Sequence, residues 1–145
     1  MHIHDADVCV WWWGKPKRIT AGGALIDGSP NVVSSRWIYE DGPVITFEST
    51  WEPVSSAPFF YSFKITMEKG TLMLDSRNSD GLLLATSKGV EKVPTAGISA
   101  YEQEDFYFLD CLVNNKPFSR CKAESSLQSM KCVLRESRQI MESAK

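Results

Sequence analysis

Alternating apolar and polar residues dominate residues 17–94 of the chain. The alternation is clearest over residues 59–67, where Phe, Tyr, Phe, Ile and Met alternate with mostly polar residues. A period of two places successive side chains on opposite faces, so the pattern predicts strands with one face on a core and the other open. The dipeptides Asp41-Gly42 and Lys69-Gly70 indicate tight turns between antiparallel neighbours. We therefore predict an open, largely antiparallel sheet of about six or seven strands.

A short helix is predicted before the strands, from about Asp5 to Trp13. This segment is apolar nearly all round, which is typical of a buried helix. Gly14 is suited to a left-handed C-terminal cap, and Pro16 prevents the helix from continuing.

Two further helices are predicted after the strands. Ser99 and Glu102 form a capping box, and the helix that they begin is expected to run to about Asn114. The last helix begins near Ala123. Core packing is the preferred role of its apolar stripe, a cofactor or partner surface is the alternative, and its charged side is expected to face solvent. The stripe comprises Leu127, Met130, Leu134, Ser137 and Met141, and the charged side comprises Lys131, Arg135, Glu136, Arg138 and Glu142.

The order of elements predicts an α+β fold with helices packed on one face of the sheet. A length of 145 residues suits a single domain, 1–145. The net charge of -2 comes from 16 basic and 18 acidic residues spread along the chain, which leaves no basic face for nucleic acid. No apolar run approaches the roughly 20 residues of a membrane span, and the first residues lack the basic region of a signal peptide. We therefore expect a cytoplasmic protein without nucleic-acid or membrane partners.

Several common sites are missing from the sequence. The four cysteines, Cys9, Cys111, Cys121 and Cys132, form no Cys-x-x-Cys pair and have no histidine cluster nearby, so we expect buried reduced thiols and no structural zinc site. Residues 22–23 are both glycine, but no third glycine follows them, so they do not form a dinucleotide fingerprint.

The densest cluster of titratable groups lies at the start of the chain. His2 and His4, the only histidines, neighbour Asp5 and Asp7. If this segment is extended, both histidines face the same way and could bind a divalent metal with help from carboxylates, as in a metal-dependent hydrolase. Alternatively, the two aspartates cap the first helix. A third interpretation assigns proton transfer to a histidine.

Residues 2–7 are followed by the Trp-rich helix and then by the segment 14–21 (GKPKRITA). This order resembles the start of the C-terminal domain in the glucose-fructose oxidoreductase / inositol dehydrogenase / MocA family. Residues 101–108 resemble the family's Tyr-x-x-Glu-x-x-x-Phe helix, residues 115–117 its following turn, and residues 124–137 its terminal helix. The resemblance covers essentially the whole chain.

In full-length members of that family, an N-terminal Rossmann domain binds NAD or NADP and supplies a lysine from a Glu-Lys-Pro motif. The second domain supplies a histidine from a His-Asp/Glu-x-Asp motif. His4 takes the position of that histidine, the proton acceptor for a sugar or polyol hydroxyl, and Asp7 takes that of the final aspartate. The family's earlier aspartate would fall before Met1, and neither Lys15 nor Lys116 follows a glutamate. The resemblance thus implies NAD or NADP for a full-length relative and no cofactor site in this chain.

The resemblance implies the C-terminal, substrate-side and oligomerisation domain of an NAD(P)-dependent sugar or polyol oxidoreductase, without dehydrogenase activity alone. His2, Asp5 and Asp7 would then lie on the substrate side. In the family the open sheet face commonly packs against another subunit, so Arg36, Glu48 and Lys64 are candidates for a homo-oligomer interface, although a solvated face explains them equally well. The alternative is a stand-alone carbohydrate-binding or protein-assembly module without catalysis.

Overall fold

A computed structural model describes residues 2–51, 56–120 and 122–144, so Cys121 lies outside the described residues. The chain forms three helices and seven strands, and every strand pair is antiparallel, which confirms the predicted α+β fold. The elements are α1 His2–Trp13, β1 Arg18–Ile26, β2 Ser29–Ile38, β3 Val44–Thr50, β4 Ser62–Met67, β5 Gly70–Asp75, β6 Leu83–Thr86, β7 Gly89–Lys92, α2 Ala100–Val113 and α3 Ala123–Ser143.

The described residues fall into two compact units. The first contains α1, β1 to β3 and α3, and the second contains β4 to β7 and α2. Hydrogen bonding also divides the strands into a sheet of order β1-β2-β3 and a sheet of order β4-β5-β6-β7. The number of strands matches the sequence prediction, whereas the single domain stays a prediction.

In the first unit, α1 and α3 cover one face of the β1-β2-β3 sheet. Alternation along the strands places Ile19, Trp37 and Phe47 on the covered face, where all three are buried. Ala6, Cys9 and Val10 of α1 and Cys132 of α3 complete this core together with Tyr39. The prediction of helices on one sheet face is confirmed for α1 and α3.

A side chain of α3 also completes the edge strand β1. The Gln139 amide accepts a hydrogen bond from the backbone N–H of Ala21 (2.8 Å) and donates one to the carbonyl of Ile19 (3.1 Å). An exposed strand edge otherwise presents unpaired backbone groups, so this contact anchors α3 along β1 and protects the edge.

The turns follow the glycine signals in the sequence. Gly14 has a positive φ of 71° directly after α1, and its N–H donates to the carbonyl of Val10, as expected for a C-terminal cap. The hairpin between β1 and β2 turns at Asp27 and Gly28, with φ values of 52° and 75°. Positive φ at both central residues fits the turn type that twisted hairpins favour, and the Asp-Gly pair is the signal that would have located it.

In the second unit, the β4–β7 sheet presents one apolar face. The register places Phe63, Ile65, Leu72 and Leu84 on that face, and each is half-buried or exposed. The helix α2 begins with the predicted capping box. Among its described side chains, only Cys111 is buried.

No helix in the described parts of the chain is both long and apolar enough to cross a bilayer.

Candidate functional site

The predicted site residues lie on α1, which begins earlier than the sequence predicted. The helix starts at His2 rather than near Asp5. Residues two apart on a helix point about 200° away from each other. His2 is accordingly buried, with 8% of its surface exposed, whereas His4 is exposed. The premise of the metal interpretation, an extended segment with both histidines on one side, is therefore wrong.

His2 is held by hydrogen bonds from two other elements. Its Nε2 lies 2.7 Å from Glu136 Oε2 on α3, and its Nδ1 lies 3.1 Å from Ser49 Oγ on β3. The imidazole also meets the ring of Phe47 edge-on, with 5.2 Å between ring centroids. These contacts fix the first turn of α1, which explains why the helix begins before the aspartates that were expected to cap it.

Glu136 is the centre of this buried network. Only 1% of its surface is exposed, and its second oxygen, Oε1, accepts a hydrogen bond from Trp37 Nε1 at 2.6 Å. A buried carboxylate is stable only when hydrogen-bonded or paired, and both of its oxygens have partners here. The prediction that Glu136 lies on a solvated face of α3 is therefore wrong, and the charge pattern did not reveal its contact with His2.

The apolar stripe predicted to form the core side of α3 is largely exposed. Leu127 and Leu134 are each 56% exposed, and Met130 and Met141 are also exposed, whereas Ser137 is half-buried. The buried positions are Ser129, Cys132, Glu136 and Ile140. The predicted core packing of the stripe is therefore wrong, because α3 turns a different side, with Glu136 and Ile140 as its large buried residues, towards the core.

His4 shares the exposed face of α1 with apolar side chains. Residues 4, 5, 8, 11 and 12 recur at helical spacing, and the side chains of Val8, Trp11 and Trp12 on this face are 41%, 56% and 48% exposed. The expectation of a wholly buried helix is therefore wrong. One side of α1 packs in the core, and the other presents an apolar surface with His4 near its N-terminal end.

The two aspartates of the cluster have different surroundings. Asp5 lies in the first turn of α1 and is exposed. Asp7 lies two residues further, where it accepts a hydrogen bond from Ser129 Oγ at 2.6 Å. Ser129 lies on α3 and is 1% exposed, so this hydrogen bond is a buried connection between α1 and α3. The helix-cap prediction does not describe Asp7, because its carboxylate bonds to another helix.

Three cysteines are buried as predicted: Cys9, Cys111 and Cys132. Burial, with a smaller effect of the nearby Asp5 carboxylate, raises the pKa of Cys9 to about 12. Burial also raises the pKa of Tyr39, whose hydroxyl finds no hydrogen-bond partner among the described residues. These groups stay protonated at neutral pH and act as part of the core.

The candidate interface residues are divided between the two sheets. Arg36 on β2 and Glu48 on β3 are exposed on the uncovered face of the β1-β2-β3 sheet, as the alternation predicted. Arg36 lies directly opposite Thr46, so Glu48 is its diagonal neighbour. Lys64 is exposed on β4, which belongs to the other sheet. The three residues therefore do not share one hydrogen-bonded sheet.

The paired glycines of β1 do not form a dinucleotide-binding turn. Gly22 and Gly23 lie inside β1, opposite Ser34 and Val33 of β2, and not at the turn from a strand into a helix where a pyrophosphate binds. Among residues 2–51, 56–120 and 122–144, no group of three or more His, Cys, Asp or Glu side chains is placed to hold a metal ion.

No family model matches the chain, and no curated protein sequence matches it. Solved structures do. The fold matches UDP-N-acetylglucosamine 3-dehydrogenase GnnA from Acidithiobacillus ferrooxidans with a TM-score of 0.80 and 19% identity, over 97% of this chain and 45% of that one.

Two further structures, solved with nicotinamide cofactors, have the same fold. Levoglucosan dehydrogenase in complex with NADH and levoglucosan matches with a TM-score of 0.71 and 14% identity, over 96% of this chain and 47% of that one. Biliverdin reductase from Synechocystis sp. PCC 6803, in complex with biliverdin and NADP+, matches with a TM-score of 0.70 and 13% identity, over 96% of this chain and 45% of that one. The chain therefore has the fold of one part of these oxidoreductases, as the sequence resemblance implied, and spans somewhat less than half of their length.

Proposed function

We propose that this chain is the substrate-side domain of an NAD(P)-dependent sugar or polyol oxidoreductase whose cofactor-binding domain is a separate part of the enzyme. The observation that supports this most is the exposed face of α1, where His4 adjoins Val8, Trp11 and Trp12. The chain also shares its fold with less than half of GnnA and of levoglucosan dehydrogenase, which supports a division of the enzyme into two domains.

The apolar face of α1 needs a cover that the described residues do not provide. Large contiguous apolar surfaces on soluble proteins usually mark binding sites for ligands or other domains. Trp11 and Trp12 are in ring contact with each other, with centroids 6.5 Å apart, so they present a continuous aromatic surface. This chain matches less than half of each related structure. In the proposed enzyme, the remaining domain would cover the apolar face of α1, since ligand sites often lie between two domains.

In the proposed enzyme His4 accepts the proton of a substrate hydroxyl. Histidine suits this role because its ordinary pKa lies near neutrality, and such a base typically contributes 10²–10⁴-fold to a rate. Its side chain is exposed, so a ligand can reach it. The nicotinamide, held by the other domain, would provide the redox chemistry, so we expect no dehydrogenase activity from this chain alone.

Fluorescence titration of the isolated chain with NADH tests the missing cofactor site. We expect no saturable binding at micromolar concentrations, and saturable binding would contradict the proposal.

An activity assay is the positive test. It uses the chain joined to an NAD(P)-binding segment encoded by the same gene, and the substrates are sugars and polyols. There His4→Asn should lower kcat by about 10²–10⁴-fold. The control is Glu142→Gln, which changes an exposed carboxylate on α3, outside the proposed substrate side.

The same variants test the alternative of a binding module without catalysis. If the chain binds a carbohydrate and the affinity survives His4→Asn, while no sugar or polyol is oxidised with either nicotinamide cofactor, the oxidoreductase proposal fails and the binding module takes its place.

A further inference from the structure

A second candidate site lies at the other end of α1. A cavity of about 270 Å³ opens between the residues that follow α1 and one face of α3. Nine residues separate His4 from Trp13 at the end of the helix, which corresponds to about 14 Å along the axis. The cavity therefore lies far from His4 along the helix, and none of its described lining residues belongs to α1.

The described lining of this cavity is strongly cationic. Lys15 enters from the segment after α1, and Lys131 and Arg135 enter from α3. None of the described lining residues is acidic. Within the described parts of the chain the ion pairs use other cations, so these three charges have no counter-ion. The C-terminus of α1 contributes only about half a negative charge, which offsets a small part of them.

The floor of the cavity is fixed by the core. Cys132, Pro16 and Ile19 are buried, and Gln128 donates a hydrogen bond to Cys132 Sγ at 3.5 Å. Burial and the negative charge of Glu136 raise the pKa of Cys132, while the Gln128 hydrogen bond and the charges of Lys15 and Arg135 act in the opposite direction. The two cations therefore lie close enough to this floor to interact with a group that rests on it.

The spacing on α3 explains why the charges converge. Gln128, Lys131 and Arg135 recur at three and four residues, so they project from one side of the helix. Lys131 and Arg135 are four apart, and like charges at that spacing repel each other. A bound anion would remove this repulsion.

We propose that this cavity binds a phosphate group. Three convergent cations suit a dianion better than a single carboxylate, and the planar fork of Arg135 matches two phosphate oxygens. The volume lies just below the usual range for drug-sized ligands and exceeds what the phosphate group needs, so both free phosphate and a small phosphate ester fit. The site does not depend on the proposed oxidoreductase function.

Titration of the isotope-labelled chain followed by ¹H–¹⁵N NMR tests the site. The probes are inorganic phosphate, glucose 6-phosphate and glucose, at constant ionic strength. We expect the two phosphates to shift the backbone amides of Ile19, Gln128 and Cys132, and glucose to leave them unchanged. Tighter binding of glucose 6-phosphate would identify an ester as the ligand, and equal or weaker binding would identify free phosphate.

Charge-removing variants provide the decisive comparison. Arg135→Gln and Lys131→Gln should each weaken phosphate binding about tenfold, whereas Arg138→Gln, which removes an exposed charge from α3 outside the cavity, should leave it unchanged. Two independent variants keep the test valid if one fails to fold. Equal weakening by Arg138→Gln would show non-specific attraction and overturn the proposal. Amide shifts located elsewhere, or no binding of either phosphate, would also overturn it.

Discussion

At the level of single residues, Glu136 is a buried carboxylate on α3 that joins His2 of α1 to Trp37 of β2. The helical period of α3 was clear, but Glu136 falls among Arg135 and Arg138, which is typical of a solvated face. Its partners, His2 and Trp37, lie 134 and 99 residues away in the chain. A contact over that separation depends on the whole fold, and local pattern does not reveal it.

Replacement of this carboxylate should be costly. Glu136→Ala leaves the Nε2 of His2 and the Nε1 of Trp37 buried without an acceptor, so we expect the free energy of unfolding to fall by about 3–5 kcal/mol. Urea denaturation measures the change. The control is Glu142→Ala on the exposed part of the same helix, for which we expect less than about 0.5 kcal/mol. Similar losses in both variants would contradict the central role of Glu136.

The buried thiol of Cys9 should make stability depend on alkaline pH. Its pKa is raised from 9.0 to about 12 in the folded protein. Below pH 9 the thiol is protonated in both the folded and the unfolded state. Between pH 9 and about 12 only the unfolded chain loses the proton, so the free energy of unfolding falls as the pH rises.

Urea denaturation over that pH range, with Cys9→Ala as the comparison, isolates this contribution. Other groups titrate in both proteins, Tyr39 among them, because burial raises its pKa as well. We therefore expect a decline in both, with a shallower slope in the variant. Equal slopes would show that the Cys9 thiol ionises as readily in the folded chain as in the unfolded one.

At the level of elements, hydrophobic pattern located every helix and nearly every strand, but it assigned two helix faces wrongly. The apolar stripe of α3 was expected in the core, whereas Ser129 and Cys132 occupy it instead. The large side chains of Glu136 and Ile140 are buried beside them, so neither size nor hydrophobicity alone decides which side of α3 faces the core. On α1, Trp11 is likewise exposed although it is large and apolar. Hydrophobicity identifies surfaces that need a cover, and it does not tell which neighbour covers them.

Local signals of helix ends were more reliable, and α2 provides a test. Ser99 Oγ accepts a hydrogen bond from the N–H of Glu102 at 3.1 Å, and the Glu102 carboxylate accepts one from the N–H of Ser99 at 2.8 Å. Ser99→Ala should cost about 1 kcal/mol and speed amide hydrogen exchange in the first turn of α2 about fivefold. Ser126→Ala, near the start of α3, should not change exchange in α2. Unchanged exchange after Ser99→Ala would mean that other contacts hold the first turn.

At the level of the whole molecule, the order of short motifs predicted more than any single motif did. Residues 2–7 and 101–108 are each weak signals, but their order and the strands between them pointed to the fold that the solved structures share. The residues of a site were harder to predict, because in the proposed enzyme the site would lie between two domains and groups outside this chain would complete it. His4 illustrates this, since it is exposed and its proposed substrate would lie against another domain.

Self-association through the uncovered face of the β1-β2-β3 sheet is the remaining expectation. Arg36 and Glu48 are exposed there on neighbouring strands, so a two-fold axis can place Arg36 of one copy against Glu48 of the other. Arg36→Glu should then abolish dimers in sedimentation velocity, because like charges across an interface cost several kcal/mol. The charge swap Arg36→Glu with Glu48→Arg should restore them, and Lys64→Glu, on the other sheet, should have no effect. A monomeric parent chain, or dimers that persist in Arg36→Glu, would show that this face is solvated.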